Sequence, residues 1–155
     1  MVRKPGTVRR GVAAVEFAVV MPGVLLLLMG ILEVGRLVEM QQVLSNAVRE
    51  GARQAATGQL TNSQVQTVVT QYIAAAGFST SNMTITVQDL TTPGTDVSQA
   101  NYLDQVQVSI IYPYSNVAWS TLSWVLPANY QLASQATWMS MVDQQFPSFP
   151  TPPVG

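Results

Sequence analysis

The chain of 155 residues has no cysteine and no histidine. Thiolate and imidazole metal sites, cysteine nucleophiles and histidine-based triads are therefore excluded together, and no disulfide can staple a small domain. Lysine occurs once, at Lys4, which leaves no Ser–Lys catalytic pair outside the N-terminal leader. No basic residue follows Arg53, so the C-terminal two-thirds has no positive patch to hold nucleic acid. Acidic residues there are Asp89, Asp96, Asp104 and Asp143, scattered and without the D-x-D-x-D-G spacing of a calcium loop. G-x-S-x-G, P-loop and H-E-x-x-H motifs are all missing. No enzyme activity, no cofactor, no metal and no nucleic-acid partner is expected.

Charge is instead concentrated at the start. Arg3, Lys4, Arg9 and Arg10 precede GVAAVEFAVVMPGVLLLLMGIL, residues 11–32, whose only charge is Glu16. About 20 apolar residues suffice to cross a bilayer as a helix. A lone acid inside such a run costs free energy and calls for a reason. An ordinary secretory signal fits poorly: the run exceeds the usual h-region, and EVGRLVEM after it offers no small-residue cleavage site. Only Arg36 lies close behind the run, so the positive-inside bias places the N-terminus in the cytoplasm and the C-terminal region outside.

The organisation follows from periodicity. Residues 1–11 read as a basic leader and 12–32 as a transmembrane helix, with Pro22 in its middle favouring a kink. Residues 33–57 continue the helix, with apolar or small residues at spacings of three and four and Gly58 suited to its end. A second helix is predicted over 63–76, capped by Asn62 or Ser63 and ended by Gly77. Alternation then predicts strands at 83–88, 105–112 and 130–142, the last with Leu132, Ser134, Ala136 and Trp138 on one face. Residues 115–126 fit either a short helix or a packed loop. Residues 143–155, with four prolines in FPSFPTPPVG, read as a tail. The expected fold is α+β: a long membrane helix running into a small domain at 58–142, with a short helix and an antiparallel sheet of about three strands.

The stretches RRGVAAVEFAVVMPGVLLLLMGILEVGRL and QVLSNAVREGARQAA resemble the TadE-like family, minor pilins (pseudopilins) of the tight-adherence, or Tad/Flp, pilus system. The resemblance covers roughly residues 9–57. It implies a prepilin peptidase cutting after glycine in a G-x-x-x-x-E-[FY] pattern, here between Gly11 and Val12, with Glu16 fifth and Phe17 sixth in the mature chain. The new amine and Glu16 would then form a pair between neighbouring subunits, relieving part of each charge's desolvation cost. It further implies a single-pass protein of the cytoplasmic (inner) membrane. Its expected partners are other pilin subunits and the Tad assembly machinery, in a pilus serving adhesion and biofilm formation. Without the Gly11 spacing, Glu16 reads as an acid near a helix start that snorkels to the interface.

Two rows of small residues add a packing signal. Ala14 and Ala18, just before Pro22, lie in the apolar run and point to helix–helix contact in lipid. Ala47, Gly51 and Ala55 either pack subunits together or seat the sheet on the helix; a helix outside the membrane needs its own core partner, which favours the second. The aromatics Tyr112, Tyr114, Trp119, Trp124, Tyr130 and Trp138 form either an exposed binding patch or, more in keeping with their type, core. The alternative to a pilus subunit is an uncleaved, membrane-anchored extracytoplasmic binding module that keeps residues 1–11.

Overall fold

The structure, a computed structural model, describes residues 8–117 and 129–142. Trp119, Trp124, the 143–155 tail with Asp143, most of the ambiguous 115–126 stretch and residues 1–7 of the leader lie outside it.

Helix α1 runs from Val8 to Ala55, 48 residues, about 70 Å at 1.5 Å per residue. It begins ahead of the expected Val12, so Gly11 lies inside it, and it continues through Pro22. Its two halves obey different rules. The N-terminal half carries an 18-residue window of mean hydropathy 2.4, none of it buried against the rest of the chain, long and apolar enough to cross a membrane. From Glu33 onward the helix acquires an inward face: Met40, Leu44, Ala47, Val48, Gly51, Ala52 and Ala55 are buried at helical spacing.

Helix α2, Asn62–Ala75, is held at both ends by its own sequence. The N-cap is Thr61 rather than the expected Asn62 or Ser63. Its hydroxyl accepts from the Gln64 amide, while the Gln64 side chain accepts the Thr61 amide at 2.9 Å, a capping box. Asn62 is occupied otherwise: its side-chain oxygen accepts the Val97 amide. At the other end Gly77 adopts φ +83°, the Phe78 amide reaches Ile73 O and the Gly77 amide reaches Ala74 O, which is a Schellman closure. Thr61→Ala should lower stability by about 1 kcal/mol, read as a shift in the denaturation midpoint. An unchanged midpoint would show that water replaces the cap without cost.

Strands β1 (Thr84–Asp89), β2 (Gln105–Pro113) and β3 (Gln131–Met139) form an antiparallel meander in the order β1-β2-β3. The β1–β2 loop carries a short 3-10 turn at Val97–Gln99. Register aligns Val87, Val108 and Ala136 on the inner face and Gln88, Gln107 and Thr137 on the outer one. β2 is central, and Val106, Val108, Ile110 and Tyr112 are all buried. Pro113 ends β2, where a missing amide interrupts little of the ladder.

The sheet packs its inner face on α1 and α2, giving one core with Val65, Val69 and Ile73 at its centre. Both free edges are met by glutamines from the helices: Gln66 donates to Ile85 O at 3.1 Å on β1, and Gln41 donates to Ala133 O at 3.1 Å on β3. These bonds occupy backbone acceptors that would otherwise invite another strand.

Candidate functional site

Gly11, Val12, Ala14, Glu16, Phe17, Ala18 and Pro22 all lie exposed along the apolar half of α1. A Cβ built at Gly11 would meet nothing within 4 Å, so the glycine is not required by the packing of the chain. Val12 and Glu16 are one turn apart on the same face. Glu16 has no hydrogen bond or ion pair among the described residues and faces outward from an apolar surface that includes Val12, Val15, Phe17, Val19 and Val20. Nothing among the described residues compensates this carboxylate.

The second small-residue row has a different fate. Ala47 and Ala55 are fully buried, and a Cβ on Gly51 would come within 2.5 Å of Val69 Cγ2 and 3.5 Å of Val108 Cγ1. The row lets α2 and the sheet close onto α1. It is interior to the domain.

At the point where α1 leaves its apolar run, the sequence reading missed a polar cluster. Glu33 is buried, 8% exposed, and accepts a hydrogen bond from the Tyr114 hydroxyl. Burial, then the Glu33 carboxylate, push the Tyr114 hydroxyl up to about 12. Tyr114 also stands edge-on to Tyr130, centroids 6.1 Å apart, and its amide donates to Tyr130 O at 2.9 Å. Nearby, the Tyr112 hydroxyl donates to Ser79 O at 2.7 Å, with its pKa raised chiefly by burial. Arg36 has its Nε buried without a hydrogen-bond partner among the described residues. The available signal was Glu33 and Arg36 as the first charges after the apolar run, with tyrosines at the end of β2.

The aromatics therefore divide. Tyr112 and Tyr114 are core, whereas Tyr130 and Trp138 are more than two-fifths exposed. The carboxylates are used to hold loops. Asp89 accepts the Thr91 and Thr92 amides, Asp104 accepts that of Asn101, and Asp96 accepts those of Ser98 and Asn62. Burial pushes the Asp96 carboxyl up, but the Ser98 and Asn62 bonds outweigh it and hold it below its usual value. On the surface of α1, hydrogen bonds from Arg53 and Gln54 lower Glu50 to about 2. That small contribution is present above the ordinary glutamate range and fades as pH falls towards 2.

Residues 11–53 match the family model described as TadE-like protein. The matched stretch starts at Gly11, contains Glu16 and Phe17, and stops just short of the end of α1. It is therefore a likeness of the long helix, and the sheet and α2 lie outside it. No curated protein and no solved structure shows a significant match to the chain.

Proposed function

We propose that this chain is a minor pilin (pseudopilin) of a Tad/Flp-type pilus, held in the inner membrane by residues 12–32 with its α+β domain outside. The observation that carries the reading is Glu16: an acid without a partner among the described residues, on a lipid-compatible helix, five residues after Gly11, within a stretch similar to the TadE-like family. A prepilin peptidase cuts between Gly11 and Val12. The new ammonium at Val12 stands about 6 Å from Glu16 along the axis of its own helix, and the same two charges are free to pair between neighbouring subunits. Each charge is costly alone in lipid, so subunits that bring opposite charges together are favoured over isolated ones. Assembly, with the membrane helices as the contact and the outer domain setting the spacing, is the mechanism. Adhesion and biofilm formation are its physiological use.

Processing is tested by intact-mass measurement of the protein from cells with and without the peptidase. The expected result is a chain beginning at Val12 only when the peptidase is present. Gly11→Leu should leave the precursor uncut while the outer domain folds normally, because the position is open. A chain that retains residues 1–11 in both strains would favour the uncleaved, anchored binding module instead.

A further inference from the structure

A cleft of about 650 Å³ lies where α1 emerges from its apolar run, between Ile31–Glu39 of α1 and the C-terminal end of α2. Its composition changes with height. Ile31 and Leu32 are the last residues of the apolar run and are both exposed. Phe78 supplies an apolar wall, and Arg36 and Glu39 line the part beyond. Glu33, also at the cleft, is engaged by Tyr114. Arg36 keeps a buried Nε–H with no acceptor among the described residues, while Glu39 is exposed. The closing turn of α2 ends at the cleft and carries the partial negative charge of a helix C-terminus.

We infer that this cleft binds one phospholipid with a primary-amine headgroup, of the phosphatidylethanolamine type, from the outer leaflet of the membrane that α1 crosses. The acyl chains lie along Ile31 and Leu32. The phosphate accepts from the Arg36 guanidinium at the cleft wall, a charge-assisted bond. The ammonium is held by Glu39 and the C-terminal end of α2. With Arg36 facing Glu39, and with Glu33 engaged by Tyr114, the cleft has no surplus positive charge; a zwitterion fits it better than an anionic lipid, whose surplus negative charge would meet these acids uncompensated. The inference rests on α1 crossing a bilayer, but not on cleavage at Gly11 or entry into a filament.

The test uses the full chain, uncleaved, in mild detergent with equal amounts of phosphatidylethanolamine and phosphatidylglycerol, read by native mass spectrometry. One retained phosphatidylethanolamine per chain is expected, in preference to phosphatidylglycerol. Arg36→Gln and Glu39→Gln should each lower its occupancy about tenfold. Gln42→Ala, outside the cleft, should not. Glu39 is exposed, so its variant should keep the wild-type melting curve and isolate the headgroup contact from folding. Equal retention of both lipids, or occupancy indifferent to both variants, would reduce the bound lipid to an ordinary annular one and overturn the inference. Displacement by inorganic phosphate at equal concentration would overturn it as well, by making the cleft a free-anion site.

Discussion

Gly51→Leu is expected to destabilise the outer domain severely. Even a Cβ at this position would sit 2.5 Å from Val69 Cγ2, with Val108 and Val65 close behind. Val69 belongs to α2 and Val108 to the central strand, so a longer side chain must push α2 and the sheet away from α1. Overpacking of a core usually costs about 1–3 kcal/mol. Here the clash opens the contact between two elements at once, and about 3 kcal/mol or more is expected. Against a total stability of about 5–15 kcal/mol, that loss is severe. Thermal denaturation of the full chain in detergent, followed by protease resistance of the domain, measures it. Gly35→Ala provides the contrast: its added Cβ has open space, and replacing glycine in an exposed helix gains up to about 1 kcal/mol. A Gly51→Leu protein that melts normally but fails to assemble would assign the Ala47–Gly51–Ala55 row to subunit contacts after all.

Glu16→Ala is expected to do the opposite: leave the monomer intact and eliminate the filament. The side chain is exposed and far from the buried core of the domain, so the domain should melt as before. Membrane insertion should become easier, since an acid within a span is unfavourable. Under the proposed processing, what is lost is the partner for the Val12 ammonium. Removing one member of a desolvated pair costs about 3–5 kcal/mol, which corresponds to at least a hundredfold loss of assembled subunit. Comparing membrane-bound and surface-sheared protein gives the measurement. Glu16→Asp, which keeps the charge but shortens the reach, should fall between. Normal amounts of sheared filament from Glu16→Ala would sink the pairing mechanism while leaving the fold untouched.

These two residues mark how far the sequence could be read. Glu16 stood out because an acid in an apolar run is conspicuous whatever surrounds it. The strands were equally plain: β-branched and aromatic residues alternate with Gln, Ser and Thr over 105–112, and β2 forms there with its alternate residues buried. Gly51 was ambiguous, because a small residue permits close approach without specifying what approaches. The structure brings Val69 and Val108 against it. The cap of α2 is Thr61, ahead of the Asn62 or Ser63 that the sequence suggests. Thr, Asn and Ser stand in a row at 61–63, each able to cap, and the long-range bond between Asn62 and Val97 selects Thr61 for the task. The Glu33–Tyr114 contact joins residues 81 apart, a separation that no local pattern reports.

The absence of a linker has a mechanical consequence. Buried contacts with the domain begin at Glu33, immediately after the apolar run ends, and continue to Ala56. No loop separates the two halves of α1. The domain therefore cannot swivel on its anchor. Turning the anchor about its axis turns the sheet by the same angle, and each residue by which the helix advances carries the sheet outward by about 1.5 Å. Under the proposed function, an assembly machine that grips only the apolar half would control the heading of the outer surface too, as a key's bow sets the orientation of its bit.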